Sequence, residues 1–250
     1  MTALSLPTRR DEAWRYSDLD AAARVWPVAA PERIVVAPGE ARTLVLLQDG
    51  AEGEIVIRDH AVEIGAGGTL TVHLLNSGGA LGRVTFDVTL ARQAHFELKA
   101  ALIGGEAQTL ELVTTLNHAE PEATSAQTVR AIAAGKATTN YLGQIRVARD
   151  AQKTDASQSF KAMLLGRTAT ANAKPELEIF ADDVKCAHGA SIGQLDEAAL
   201  FYMASRGIDP ATAKALLLEA FIAGLFDDMA DEAERERFAT VARAKLEALG

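Results

Sequence analysis

The sequence predicts a mainly β core followed by a C-terminal α-helical domain. Short apolar runs that alternate with polar residues recur between about residues 34 and 184, for example at 70–74 and 84–90. Turn signals such as Asp49-Gly50 and Gly104-Gly105 separate these runs. Beyond residue 195 the apolar residues instead stand three and four apart, which is the spacing of an amphipathic helix.

The first 30 residues form a separate N-terminal arm. Residues 10–19 contain no glycine or proline and include Trp14, a large aromatic residue that needs cover from water. We expect this arm to dock on the core through its aromatic residues.

The β core spans residues 31–192 in this prediction. The strand spacing favours a sandwich, a barrel or a β-solenoid and does not choose among them. The polar, alanine-rich stretch at 114–127 is predicted to be a long turn, and Pro121 and Pro175 are predicted to lie at breaks between strands.

The helical domain spans residues 193–250 and contains three predicted helices. Their N-caps are Asp196, Asp209 and Asp231, since an aspartate accepts hydrogen bonds from the free N–H groups of a first helical turn. Gly207 ends the first helix. The second helix carries an apolar stripe that either packs on the β core or is left for another molecule: Ala213, Leu216, Leu217, Ala220, Phe221, Gly224 and Leu225.

Composition limits the partners and the compartment. A net charge of -9 opposes sequence-independent binding to nucleic acid and to anionic membranes, so neither is an expected partner. The single cysteine, Cys186, cannot form an intramolecular disulfide, and the N-terminus lacks an apolar signal core. These features predict a cytoplasmic protein.

Cys186 and His188 are the residues best suited to metal chemistry. On an extended strand, side chains two residues apart point the same way, which would bring a thiolate and an imidazole together. Both groups bind iron or zinc, but two ligands do not complete a tetrahedral site. The alternative is structural, with Cys186 as a small buried apolar residue and His188 as a capping residue before Gly189.

The common signatures of nucleotide-binding proteins and hydrolases are absent. Arg130 stands where a phosphate-binding loop ending at Gly135-Lys136 would need its first glycine. The sequence contains no His-Glu-x-x-His and no Gly-x-Ser-x-Gly motif. We therefore expect no enzymatic activity of these classes.

The segment LEIFADDVKCAHGASIGQLDEAALFYMASRGI at 177–208 resembles the SufB/SufD proteins of the Suf iron-sulfur cluster assembly system. GQIRV at 143–147, ASQ at 156–158 and RRDEAWRYSDL at 9–19 carry the same resemblance. The chain is more similar to the SufD branch. It lacks the acidic residue after the histidine, the cysteine in the FY segment and the upstream cysteine motif of the SufB branch.

The resemblance implies a right-handed parallel β-helix with a C-terminal helical domain. It implies a scaffold subunit, not itself an ATPase, that pairs with a SufB-like chain and binds a SufC-like ABC-type ATPase. His188, with Cys186 as the second candidate, would help to hold a transient iron-sulfur cluster or iron shared with the partner chain. The implied ATPase contact lies on the helices at Leu200, Phe201, Leu216, Leu217, Phe221 and Leu225. Family members usually have a helical N-terminal domain before the β-helix, so the chain is short at this end.

Two other functions stay open. One is a purely architectural adaptor in which Cys186 and His188 have only structural roles. The other is a β-helix enzyme acting on polysaccharide, which would need a cluster of outward charges from Asp87, Arg92, Arg146, Arg149 and Asp150. The exposed flank of a β-helix and the helical stripe also favour a homodimer of the isolated chain.

Overall fold

The computed structural model describes residues 5–249, so the first four residues of the predicted arm and Gly250 lie outside the described residues. A short 3-10 turn, Glu12–Trp14, and helix α1, Leu19–Ala23, come first. The strands follow in chain order: β1 (Glu32–Val36), β2 (Ala41–Gln48), β3 (Ile55–Ile64), β4 (Thr69–Asn76), β5 (Leu81–Leu90), β6 (His95–Gly104), β7 (Thr109–His118), β8 (Thr124–Ala133), β9 (Thr138–Val147), β10 (Asp155–Leu164), β11 (Thr170–Ile179) and β12 (Lys185–Gln194). The chain then forms α2 (Glu197–Ser205), α3 (Pro210–Ile222) and α4 (Glu232–Glu247).

The strands form a parallel β-solenoid. The odd-numbered strands make one six-stranded sheet, the odd sheet, and the even-numbered strands make a second, the even sheet. Neighbouring strands in each sheet are parallel and in register, so each turn of the chain adds one strand to each sheet. This arrangement confirms the predicted β-helix fold and selects it over a sandwich or a barrel. The right-handed sense of the coil stays a prediction.

The main core lies inside the solenoid, between the two sheets. Alternate residues of each strand point inward, and their apolar side chains form one continuous cluster that includes Phe86, Phe96 and Phe160. Adjacent turns approach closely at Gly78, where a Cβ atom would lie 2.2 Å from backbone atoms of the preceding turn. The connections between successive strands also differ in length. The connection between β5 and β6 spans only residues 91–94, whereas the one between β9 and β10 spans residues 148–154. A strict sequence period is therefore absent although the structure repeats.

Two expectations about the strands were wrong. The predicted long turn at 114–127 is only the short connection between β7 and β8, because Thr114 and Gln127 lie inside those strands and are buried in the solenoid. Pro121 lies in this connection as predicted, whereas Pro175 lies within β11. β11 is an edge strand, where a missing backbone N–H is tolerated.

The three C-terminal helices begin at the predicted caps. The carboxylates of Asp196, Asp209 and Asp231 accept hydrogen bonds from backbone N–H groups of the first turns. α2 ends at Ser205, and the predicted Gly207, with a positive φ of 83°, follows its C-cap residue Arg206. Within the described residues no helix is long and apolar enough to cross a membrane.

The helical domain packs on the outer face of the even sheet through α3 and α4. Leu218, Phe238 and Leu246 meet Ile103 and Ile132 of the sheet in a second apolar cluster. Leu218, which the predicted stripe omits, is 1% exposed, whereas Leu216 of that stripe is 46% exposed. α2 contributes no buried residue. α3 and α4 thus pack on the sheet, α2 lies on the surface, and the binding of another molecule to an exposed helix face stays a prediction.

The N-terminal arm docks on the outer face of the odd sheet, as predicted. The buried guanidinium of Arg83 stacks on Trp14, with its Cζ atom 3.9 Å from the centroid of the Trp14 ring. Arg83 pairs with the buried carboxylate of Glu111, which also accepts hydrogen bonds from Ser17 and Asn140. Polar side chains that lie in register on neighbouring strands thus bind the arm to the sheet, in addition to the packing of its aromatic residues.

Candidate functional site at the open end of the solenoid

The last turn of the solenoid carries Cys186 and His188. Both lie on β12, which pairs only with β10 because it is the edge strand of its sheet. Cys186 is in register with Ala156, and His188 with Gln158. Since Ala156 and Gln158 are buried inside the solenoid, the residues stacked on them occupy inward-facing positions at its end. The structure thus brings the two predicted site residues to one side of one strand.

The two residues differ in exposure. His188 is exposed, whereas Cys186 is half-buried and packs against the main core cluster. Burial raises the pKa of the Cys186 thiol, and the nearby carboxylate of Asp155 acts in the same direction against a backbone hydrogen bond at Ala156. The thiol is therefore protonated at neutral pH in the isolated chain. A metal ion that binds here must displace its proton.

The described residues supply an incomplete metal site. Between residues 5 and 249 no group of three or more histidine, cysteine, aspartate or glutamate side chains is arranged to hold a metal ion. Cys186 and His188 therefore provide two donors of the kind that bind iron. Completion of such a site requires donors from outside this set.

A buried polar cluster lies directly beneath His188 and has no counterpart in the sequence predictions. The hydroxyl of Tyr141 donates a hydrogen bond to Oε1 of Gln158 over 3.0 Å, and Nε2 of Gln158 donates to the carbonyl oxygen of Glu176 over 3.2 Å. A Cβ atom at Gly143 would lie 2.3 Å from Gln158 Oε1 and 2.4 Å from the Tyr141 hydroxyl oxygen. Gly143 thus leaves room for this hydrogen bond. Strand alternation alone could not reveal the cluster, because an inward glutamine cannot be distinguished from an outward one.

The end of the solenoid is also apolar and has free strand edges. Ile179, Phe180 and Ile192 are 37%, 58% and 47% exposed around the site. β11 and β12 each have one edge without a neighbouring strand in the described fold. Exposed apolar side chains beside unpaired backbone groups are characteristic of surfaces that receive another chain.

The six residues of the predicted ATPase contact differ in how far their side chains are exposed to solvent. Phe201 on α2 is 77% exposed and Leu216 on α3 is 46% exposed. Leu200, Leu217 and Phe221 are partly exposed, whereas Leu225 is 5% exposed and belongs to the core between the helices and the sheet. Tyr202, which was not predicted, is 60% exposed beside Phe201. The most exposed residues of the predicted contact thus lie on α2 and at Leu216, Leu225 is internal, and the contact itself stays a prediction.

Three of the charged residues of the polysaccharide alternative each contact a different partner. Asp87 accepts a hydrogen bond from Asn117, Arg92 pairs with Glu122 in a turn, and Arg146 pairs with Glu178 on β11. These are one-to-one contacts on different turns. They give the polysaccharide alternative no support.

Fold and site together define a class of protein: a β-solenoid subunit whose last turn presents cysteine and histidine at an open, apolar end. The sequence model described as "SUF system FeS cluster assembly, SufBD core domain" matches residues 28–221, which is most of the chain. The chain belongs to this SufB/SufD family.

Curated relatives support this assignment. The iron-sulfur cluster assembly protein SufD of Escherichia coli is 38% identical over 124 residues, which cover 50% of this chain and 29% of the relative. The chloroplastic protein ABCI7 of Arabidopsis thaliana is 40% identical over 151 residues, covering 59% and 31%. The SufBD family protein slr0076 of Synechocystis is 34% identical over 158 residues, covering 62% and 34%. The matches thus span about a third of the length of these relatives.

Proposed function

We propose that this chain is a non-ATPase scaffold subunit of the Suf system that pairs with a SufB-like chain through the open end of its solenoid. His188, with Cys186, contributes to a site on which iron or a transient iron-sulfur cluster is held jointly with that partner. The relatives named as iron-sulfur cluster assembly proteins support this function. On this proposal the cytoplasm is the place of action.

The observation that carries the proposal is the position of His188. It is exposed on the last turn, which also carries a half-buried thiol and the exposed apolar residues Ile179 and Ile192. A partner that covers this apolar end would exclude water around the two donors. Ligands from the partner would then complete a coordination that two side chains leave open.

The free edges of β11 and β12 suggest how the partner docks. A strand of the partner can continue either sheet by backbone hydrogen bonds, while side chains at alternate positions fill the apolar end. Pro175 removes one N–H donor from β11. β12 has no proline and is therefore the better edge for continuous pairing.

Co-expression with SufB- and SufC-like chains tests the proposal. The complex is purified, and its iron and sulfide are measured for the wild type, for His188→Ala and for a control, His95→Ala. His95 lies on β6, where its ring bonds to the Thr124 hydroxyl far from the open end. We expect His188→Ala to keep the complex and to lose most of its iron and sulfide, while His95→Ala retains both.

The same experiment separates the proposal from the purely architectural adaptor. If His188→Ala assembles and loads clusters as the wild type does, the ligand role is wrong and the adaptor function stands. If the wild-type chain fails to associate with a SufB-like chain at all, the pairing itself is wrong, and the homodimer of the isolated chain becomes the form to study.

We propose in addition that the ATPase partner docks on the surface formed by α2 and Leu216. Phe201 and Tyr202 are exposed there, and a groove of about 410 Å³ between α3 and α4, lined by both apolar and charged residues, continues past Leu216 and Ala220. Phe201→Asp is expected to abolish co-purification of the SufC-like chain. Val35→Asp, at an exposed apolar residue of β1, is the control and should leave it unchanged. Normal recovery of the ATPase with a folded Phe201→Asp variant would show that the contact lies elsewhere.

A further inference from the structure

A basic groove lies between the outer face of the even sheet and the end of α3. Its floor is formed by Lys99 on β6, Thr128 and Arg130 on β8, and Lys161 on β10, and its volume is about 510 Å³. The opposite wall is apolar and comes from the end of α3 and the residues after it: Ala220, Phe221, Ala223, Gly224 and Leu225. Three cations line this groove and no carboxylate of residues 5–249 does, although the whole chain has a net charge of -9. A positive groove in an acidic protein calls for a physical reason.

The cations of the groove are placed unfavourably for stability alone. Arg130 and Lys161 are directly in register on neighbouring strands, where like charges repel. Lys99 is neutralised, because its ammonium group lies 2.6 Å from Asp228 and 3.3 Å from Glu97. Neither Arg130 nor Lys161 forms a salt bridge within the described residues.

Arg130 is also partly removed from water. Among the described residues its guanidinium donates a hydrogen bond only to a backbone carbonyl, that of Val129, over 3.2 Å. Burial lowers the pKa of Arg130, which records the cost of keeping this charge in the groove. A bound anion would offset that cost. The planar fork of a guanidinium matches the oxygens of a phosphate group, and the Thr128 hydroxyl adds a further donor.

We propose that the basic groove binds a phosphate-class anion between Arg130, Lys161 and Thr128. The anion is inorganic phosphate or the phosphate group of a small organic molecule whose apolar part lies against Phe221. This binding site is independent of the cluster function proposed above. It lies on the outer face of the solenoid, whereas Cys186 and His188 occupy inward-facing positions.

A second explanation of the cations is purely structural. The carbonyl end of α3 is the negative end of its dipole, and cations nearby stabilise it. The two explanations predict different behaviour for Arg130→Gln. If the groove is an anion site, removal of the charge relieves repulsion with Lys161 and leaves stability in anion-free buffer unchanged or higher. If Arg130 serves only the helix end, the variant is less stable and has no anion phenotype.

Titration of the isolated full chain with inorganic phosphate and with phenyl phosphate tests the proposal by amide NMR at low and at physiological salt. We expect saturable shifts confined to residues around Thr128, Arg130 and Lys161, with weaker binding as salt rises. Tighter binding of phenyl phosphate would identify an organic phosphate as the ligand class, and equal binding would identify phosphate itself. Arg130→Gln and Lys161→Gln are each expected to weaken binding roughly tenfold or more.

Arg146→Gln serves as the matched control, because Arg146 pairs with Glu178 on the other sheet and should not affect binding. The proposal is overturned if no saturable shift occurs in the wild type, or if both groove variants bind as tightly as the wild type. It is also overturned if a glutamate-rich peptide binds where neither phosphate does, since the groove then receives an acidic protein segment. Should Arg130→Gln fail to fold, the exposed Lys161→Gln variant decides alone.

Discussion

Gly143 lies in the interior of the solenoid, one turn below the open end, and its replacement by alanine is expected to destabilise the protein strongly. The new methyl group would lie 2.3 Å from Gln158 Oε1 and 2.4 Å from the Tyr141 hydroxyl oxygen. Neither side chain can move away freely. Both are at most 2% exposed, and the Tyr141 ring stacks on Phe160 with centroids 5.3 Å apart.

The magnitude follows from two contributions. Overpacking of a filled core costs about 1–3 kcal/mol. Loss of the buried hydrogen bond between Tyr141 and Gln158 adds about 1–3 kcal/mol, because a polar group is left without its partner. Gly143→Ala should therefore reduce the free energy of unfolding by about 2–6 kcal/mol, a large part of the total for a typical domain.

Urea unfolding followed by circular dichroism measures this change. Tyr141→Phe removes one of the two oxygens that the methyl group meets, so the double variant should lose at least about 1 kcal/mol less than the sum of the single variants. Gly189→Ala is the matched control. A Cβ atom there meets nothing within 4 Å, so its effect should stay within about 0.5 kcal/mol. A loss below about 1 kcal/mol for Gly143→Ala would refute the reasoning.

Three further predictions concern other parts of the molecule. Arg83→Met leaves the carboxylate of Glu111 buried without its cation and should cost about 3–5 kcal/mol of unfolding free energy, measured by urea denaturation; an effect below about 1 kcal/mol would contradict this. Asp228 is partly buried, which favours its neutral form, but hydrogen bonds from Lys99 and His73 prevail and lower its pKa below the ordinary 3.8. The contribution of Asp228 to stability is thus fully present above pH 3.8 and is lost as the pH falls through the lower folded-state pKa. Asp228→Asn should therefore reduce the free energy of unfolding by at most about 1 kcal/mol at pH 7 and by less in acid. An equal loss at both pH values would argue against this role of Asp228. Because the pKa of the Cys186 thiol is raised above 9.0, iodoacetamide should alkylate it more slowly than a free thiol at pH 8 and faster as the pH rises; a rate equal to that of a small free thiol would show that the site is not shielded.

The helix boundaries could be predicted from sequence because capping is local. Asp209 and Pro210 specify the start of α3 through contacts within one turn, and the structure shows that start. The buried face of α3 could not be predicted in the same way. Leu216, Leu217 and Leu218 are consecutive, so the apolar pattern surrounds the helix and only the position of the sheet selects Leu218 for the core.

The strands were predictable as a class and less so one by one. Alternation identified the β core, but Thr114 and Gln127 were assigned to a loop because polar residues are expected outside. In the solenoid they point inward, where Gln127 lies 3.4 Å from the Tyr141 hydroxyl. Strand propensity alone cannot predict such a cluster, because its residues come from different turns of the solenoid.

The candidate site was predictable in part. Two residues of the right chemistry on one strand could be recognised at Cys186 and His188. Their place at the end of the solenoid depends on how many turns the chain completes, which no local pattern encodes. The basic groove was missed for a similar reason, because Arg130 and Lys161 become neighbours only when β8 and β10 pair.

The open last turn of the solenoid affects the concentration that this chain can reach in a cell without its partner before it self-associates. The first strands, β1 and β2, are also outermost in their sheets, so the solenoid formed by residues 5–249 has pairing edges at both ends. Two different ends that match each other propagate into filaments, because a head-to-tail contact does not close on itself. A companion that blocks the last turn would end such growth after one step. On the proposed pairing, production of the two chains in equal amounts would therefore protect against polymerisation as well as build the cluster site.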